Sequence, residues 1–332
     1  MKKIKALILI FALTFSSLGF LCSCNTVKTK TFFALDTAVQ LTVYNCTDEI
    51  LNKAVNNITK LADALDCYKE NGELYNLNKT GKSENLSEDL YTVLKKSSEY
   101  SKNLNGAFNI TLGAVTRLWN FENKIIPKEN ELKSALKTVK TENLSVFYKN
   151  GKYKAKLKNN TKLDLGAVAK GYIADKTAEL LKNNGVKKAL INLGGNVYSL
   201  GDKNAVIGIK KPFSNGELSA RVKVKTSCSA VTAGNYERCF KENGVLYHHI
   251  LNPKTGKPAN SDVNSVTVFC KESAKADAYS TGLFNLGKDK ALEIANSEKE
   301  IEVVIIDKND KVFYSDGFEL KNGELYIINE NI

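Results

Sequence analysis

Between residues 163 and 175 the chain reads L-D-L-G-A-V-A-K-G-Y-I-A-D, and this run constrains the fold more than any other. Residues 162–165 read as the end of a strand, and Gly166 lets the backbone turn at no steric cost. From Ala167 the apolar positions Ala167, Ala174, Ala178 and Leu181 follow one helical stripe, spaced 7, 4 and 3. Free amides at such a helix start attract anions, and Lys170 places a full positive charge one turn in. The corner suits a phosphate site; it equally suits an ordinary strand–helix junction with a solvated lysine.

The remaining elements read around this corner. Residues 38–44 alternate as a strand. Residues 48–65 put Ile50, Ala54, Ile58, Leu61 and Leu65 on one helical stripe. A second helix is expected over 90–104, a turn and a helix-like run over 106–119, and a short helix over 132–139. Asn150-Gly151 predicts a hairpin within 146–157. The helix after Gly166 should stop near Asn184-Gly185, before a strand at 188–192 and a tight turn at Gly194-Gly195. The second half is richer in strands, expected at 205–209, 219–224, 229–232, 245–250 and 265–269. A helix over 273–286 interrupts them, and hairpins turn at 308–310 and 322–323. Strands and helices do not alternate strictly as βαβ units, so an α+β class is expected rather than a doubly wound sheet.

The N-terminus reads as an address. Lys2, Lys3 and Lys5 precede an apolar stretch over residues 6–21, too short and poorly flanked for a membrane span. It ends in Leu21-Cys22-Ser23-Cys24, the pattern of a bacterial lipoprotein cleavage site. Residues 1–23 are therefore expected to leave as a signal peptide. Cys24 then becomes a lipid-modified first residue, and the protein sits on the extracytoplasmic face of the cell membrane. Residues 24–31 read as a polar tether and 32–332 as the folded domain. The 309 residues left suffice for one large or two intimately packed domains. Three lysines leave with the signal, taking the formal charge from +12 to about +9. No run of Lys and Arg interleaved with aromatics suggests a nucleic-acid groove; the excess better suits an anionic membrane surface or a small anionic substrate. Cys46, Cys67, Cys228, Cys239 and Cys270 remain, an odd number with no C-x-x-C, which argues against a disulfide framework or structural zinc.

Three further segments carry chemistry-bearing residues. The only two histidines, His248 and His249, are adjacent, so on a strand they face opposite ways. One ring can enter a site and act as a proton acceptor while the other packs. In a helix Asp277, Ser280 and Thr281 fall at i, i+3 and i+4 on one face. Such hard oxygens suit Mg²⁺ completed by waters and substrate phosphates, and are too few for an all-protein calcium cage. The same pattern also occurs as plain back-bonding within a helix. Residues 231–238, V-T-A-G-N-Y-E-R, form a small-residue turn followed by polar groups, suited to a ligand wall.

Taken together these segments resemble the ApbE family, the FAD:protein FMN transferases. The landmarks occur in order: A-L-D-T, F-N-I-T-L-G-A-V, L-D-L-G-A-V-A-K-G-Y-I-A-D, L-I-N-L-G-G-N, V-T-A-G-N-Y-E-R, H-H-I-L-N-P-K-T-G-K-P and D-A-Y-S-T-G-L-F, spanning residues 34–284. The resemblance implies a T-fold-like α+β architecture of two packed halves with FAD in a cleft between them. It implies Mg²⁺ held by the Ala167 carbonyl, Asp277 and Thr281, with Ser280 at a neighbouring position. It places Leu35, Tyr68, Gly113, Ala114, Val115, Asp164, Lys170 and Ile250 against FAD, and points to His249 as the catalytic histidine. The implied reaction moves FMN from FAD to a Ser or Thr hydroxyl of an acceptor flavoprotein and releases AMP. A lipid-anchored FAD carrier, or an FAD pyrophosphatase using water, would need much the same pocket. Leu35 replaces the family's usual methionine, and Asn109, Ala233 and Asn252 replace an aspartate, a serine and an aspartate.

Overall fold

The computed structural model describes residues 26–202 and 204–332. In chain order it begins with strands β1 (Val27–Ala34) and β2 (Thr37–Tyr44) and helices α1 (Asp48–Leu65) and α2 (Glu73–Thr80). Next come β3 (Lys82–Leu86), α3 (Glu88–Asn103), α4 (Gly113–Thr116), α5 (Glu129–Leu136), β4 (Leu144–Lys149) and β5 (Lys152–Leu157). The central part holds α6 (Ala169–Asn183), β6 (Ala189–Leu193), β7 (Asn196–Leu200), β8 (Val206–Lys210), β9 (Leu218–Lys223) and β10 (Cys228–Gly234). There follow β11 (Cys239–Glu242), β12 (Val245–His248), β13 (Val263–Cys270), α7 (Ser273–Leu286) and α8 (Lys288–Ser297). The chain closes with β14 (Ile301–Asp307), β15 (Val312–Tyr314), β16 (Phe318–Lys321) and β17 (Glu324–Ile327).

Eight strands form one antiparallel sheet in the order β1-β2-β6-β7-β10-β13-β14-β15. One face packs on the helices: Val39, Leu41, Ile191, Val266 and Val268 share a core with Ala54 and Ile58 of α1, Ile173 and Ala174 of α6, and Ala278 of α7. The other face carries Ala230, Phe269, Val304 and Ile306 against Ile207, Val222 and Leu325 of the sheet β16-β17-β9-β8. Covering both faces explains why all eight residues of β13 are buried and why β14 reads as a nearly unbroken apolar run. The α+β expectation holds: nearly all pairings are antiparallel, and the helices lie on one face of the large sheet.

Local chemistry accounts for the elements read correctly. Thr47 caps α1 through its hydroxyl, and Asp48 and Glu49 complement the helix dipole. Asn150 (φ 54°) and Gly151 (φ 71°) form the two-residue turn between β4 and β5. The expectations for α1 and α7 match residue for residue. The tether expected over 24–31 does not hold, because β1 starts at Val27 and pairs with β2 along its whole length. As an edge strand with several exposed polar residues it lacks the apolar alternation that signals a strand; Lys28 and Lys30 suit an edge that must not recruit another chain. The strand end expected at 162–165 is a single bridge, Lys162 to Leu112, and the helix begins at Ala169, after a turn over 166–168. The helix-like run over 106–119 reduces to the single turn of α4. The short elements α2, β3 and α8 carry too few apolar positions to stand out, and only tertiary packing holds them.

Helices α6 and α7 approach closely because Gly171 has no side chain: a Cβ there would lie 2.2 Å from the Ser273 carbonyl oxygen. Asp175 of α6 accepts from the Ser273 and Ala274 amides at 2.8 and 2.9 Å, satisfying the start of α7. Gly171→Ala should cost about 2–3 kcal/mol of unfolding free energy by overpacking backbone against backbone. Urea denaturation of the variant checks this; an unchanged midpoint would mean the crossing can relax.

Candidate functional site

Asp164 organises the first part of the site. Its amide donates to the Ile110 carbonyl at 2.8 Å. Its Oδ2 accepts from the Thr116 hydroxyl at 2.7 Å and its Oδ1 from the Gly166 amide at 2.8 Å, which closes the turn leading to α6. Asn78 holds the preceding residue by accepting from the Leu163 amide at 2.7 Å and donating to its carbonyl at 2.8 Å. Gly113 packs against this segment, since a Cβ would come within 2.8 Å of the Leu163 carbonyl. Ala114 and Val115 follow in α4, with Val115 fully buried. Tyr68 stands next to this corner with the Arg117 guanidinium 5.2 Å from its ring centroid. Burial of the phenol, then the neighbouring Asp164, push its hydroxyl up to about 12.

The second part is the α6–α7 crossing. Lys170 donates to the Gly166 carbonyl at 3.2 Å, and the next amide, Gly171, donates to Asp277 Oδ2 at 2.9 Å. Asp277 is buried, and burial raises its carboxyl; Lys170, the Gly171 amide and Asn196 act in the opposite direction. Thr281 lies one turn further along α7, half-buried on the same face. Ser280 is buried, and its hydroxyl donates to the Asp277 carbonyl at 2.8 Å. Ala167 sits in the turn before α6.

Strand β12 ends at His248, and the two adjacent histidines enter different surroundings. His248 Nε2 is 3.1 Å from the Ala259 carbonyl, and its ring meets Phe284 edge-on, so it is a packing residue. His249 lies just past the strand, with its amide donating to the Arg238 carbonyl at 3.1 Å. Burial first, then the charges of Arg238 and Lys170, push its imidazole down to about 3. Its Nδ1 is buried and has no hydrogen-bond partner among the described residues. Ile250 beside it is buried in the main core. The ring is therefore neutral near neutral pH, and an anion entering beside Lys170 would raise its basicity.

Leu35 lies at the tip of the β1–β2 hairpin with φ 56°, and Asp36 follows at 54°. A leucine in the left-handed region stores strain of about 1–3 kcal/mol, of the kind that collects at ligand contacts. The Gly194-Gly195 turn lies against this hairpin: a Cβ on Gly194 would come within 2.3 Å of Thr37 Oγ1. Asn196 follows that turn and stands beside Asp277, while its Oδ1 accepts from Ser273 at 3.0 Å. Gly194 against Thr37, Asn196 beside Asp277, the Gly171 amide on Asp277 and Lys170 on the Gly166 carbonyl thus link the β1–β2 hairpin to the α6–α7 crossing and to the Asp164 corner, with the Lys170 charge acting on His249. A cavity of about 650 Å³ lies elsewhere, behind His248.

Among the described residues no three His, Cys, Asp or Glu side chains converge on one point. Magnesium, implied by the family pattern, fits the donors that are present. One buried carboxylate without a full counter-charge and a hydroxyl one turn along the same helix leave positions for water and phosphate oxygens.

The ApbE family profile matches residues 35–305. This chain belongs to the ApbE family. A FAD:protein FMN transferase of Treponema pallidum is 35% identical over 70% of this chain and 69% of its own length. One from Klebsiella pneumoniae is 28% identical over 88% and 92%. The crystal structure of the ApbE protein of Thermotoga maritima superposes with a TM-score of 0.78 at 28% identity, covering 88% of this chain and 97% of that one. Several groups in this ApbE-family site were not singled out from sequence: Thr116 and Asn78 around Asp164, Arg117 over Tyr68, Asn196 beside Asp277 and Arg238 beside His249. The first four act through contacts between segments distant in the chain, and Arg238 reaches His249 across the β11–β12 hairpin.

The His249 shift has a consequence for stability. The unfolded ring takes a proton near pH 6.5, whereas the folded ring resists until about 3. The unfolded state therefore binds more protons in between, and stability falls as pH drops from 6.5 through 3. From pH 6.5 to 4.5 this residue should remove ~2–3 kcal/mol, and His249→Gln should abolish that share. Urea unfolding of both proteins at the two pH values measures it; equal losses would mean the ring is solvated in the fold.

Proposed function

We infer that this protein transfers FMN from FAD to a Ser or Thr hydroxyl of an acceptor flavoprotein with Mg²⁺ as cofactor, releasing AMP. Family membership supports flavin transfer from FAD to a protein as the activity. The observation that carries the finer reading is the convergence of Lys170, Asp277 and His249 around the α6–α7 crossing. A cation, a buried carboxylate and a neutral imidazole are the parts needed to bind a pyrophosphate and deprotonate a hydroxyl.

In this reading Lys170 neutralises the FAD pyrophosphate. Asp277, Thr281 and the Ala167 carbonyl would hold Mg²⁺, which when bound supplies further charge neutralisation at the phosphate oxygens. Tyr68, Leu35 and the Gly113–Val115 turn line the flavin-bearing side. His249 takes the proton of the acceptor hydroxyl as its oxygen forms a bond to the phosphorus on the FMN side. The bond from that phosphorus to the AMP oxygen breaks, and AMP leaves. His249→Ala should lower transfer roughly 10²–10⁴-fold while sparing FAD binding. Asp277→Ala should abolish the magnesium response. The check is mass spectrometry of an acceptor for added FMN, with AMP assayed alongside and EDTA as control. AMP without an adduct would favour a pyrophosphatase, and FAD binding with neither product a carrier.

The membrane address belongs to the same proposal. Cys24 lies outside the described residues, and the basic, apolar and cleavage-site pattern of residues 1–24 supports lipid attachment there. With β1 beginning at Val27, two residues, Asn25 and Thr26, separate that cysteine from the strand. Cys24→Ala should move the protein from the membrane pellet to the soluble fraction; retention in the pellet would exclude the lipid anchor.

A further inference from the structure

The sheet β3-β5-β4 turns one face to the helices and the other to solvent. On the inner face Leu86, Leu144, Ala155 and Leu157 are buried, and Tyr153 stacks on Tyr91 of α3 with ring centroids 4.5 Å apart. Register decides who shares the outer face: Lys82 stands opposite Lys156, Phe147 opposite Lys154, and Lys149 opposite Lys152. Side chains directly opposed in this way lie on the same face. The outer face thus carries Lys82, Lys149, Lys152, Lys154 and Lys156 against one acid, Glu84. Of these lysines only Lys154 has an ion pair among the described residues, with Glu84 at 2.5 Å. That contact, with Lys82 and Lys152 nearby, holds the Glu84 carboxyl below its ordinary range.

Lysine on an edge strand guards against aggregation. That does not explain three lysines on β5, which is the central strand. Nor do they strengthen the sheet, since opposed like charges repel. At the β3 edge the positive field continues into a cavity of about 310 Å³ lined by Lys79, Lys82, Lys156 and Lys162. This cavity adjoins the site: Lys162 donates to the Asn78 carbonyl, and the Asn78 side chain holds Leu163, the residue before Asp164.

We propose that this basic face docks an acidic surface of the acceptor protein. The proposal rests on the transferase reading above, and the continuity of the face with Asp164 is what favours a protein substrate over a lipid surface. Opposite charge across such a face speeds encounter and orients the partner, and salt weakens it. Phe147, 39% exposed amid the lysines, adds an apolar contact.

The test uses the full chain and fluorescein-labelled decaglutamate, read by fluorescence anisotropy at low and high salt. Wild type should bind in low salt. Replacing Lys82, Lys149, Lys152 and Lys156 together by Ala should weaken binding at least about tenfold. Replacing exposed Lys53, Lys60, Lys271 and Lys299 together by Ala should leave it nearly unchanged. Equal losses in the two variants would reduce the effect to net charge and overturn the proposal. So would binding to phosphatidylglycerol vesicles through the same four lysines without binding to the peptide, or no binding at all. FAD binding, measured in parallel, should be unaffected in both variants. A wild type that binds the peptide and not FAD would strike the transferase reading alone.

Discussion

A single amide–carboxylate bond, from Gly171 to Asp277 at 2.9 Å, fixes the geometry on which the site depends. It forms only because two helices cross at van der Waals contact over a residue with no side chain. The bond draws a buried carboxylate to within the influence of Lys170 and leaves it short of one full counter-charge. Such a group is costly unless something cationic completes it. Around the same crossing, Asp175 satisfies the first amides of α7.

The large sheet supplies the rigidity behind this crossing. With helices on one face and a smaller sheet on the other, β13 is buried along its whole length and β14 nearly so. Several candidate groups outside helices α6 and α7 sit where regular structure ends: the β1–β2 tip, the Gly194-Gly195 turn, the corner before α6 and the end of the β11–β12 ribbon. These are the places where strain is stored, and Leu35 in the left-handed region is the clearest instance. The neutral His249 shows a related logic. Two cations beside an enclosed imidazole keep it unprotonated, so that the negative charge brought by a substrate would strengthen it as a base.

Much of this was legible in the chain alone, and the reasons are local. Helix α1 could be bounded because its Thr47 cap and apolar spacing are local, and the end of α7 because Gly287 follows it directly. The Asn150-Gly151 turn could be read because its two residues tolerate positive φ. Asp277 and Thr281 could be paired because helical spacing alone puts them on one face. The two histidines do meet different neighbours, although strand alternation is not the reason, since His249 lies just past the end of β12. Reading β1 as a tether failed because an edge strand answers to its neighbour's hydrogen bonds and not to its own hydrophobicity.

The sequence by itself determined the α+β class, the main helices, the hairpins turning at 150–151, 308–310 and 322–323 and the residue types fit for phosphate and metal chemistry, since these follow from periodicity and backbone preference over short spans. Only the tertiary structure decided which groups meet. Thr116 on Asp164, Asn78 on Leu163 and Asn196 beside Asp277 each join residues far apart in the chain. The direction of the His249 shift was also settled there, because burial and neighbouring charge are properties of a packed site and not of a motif.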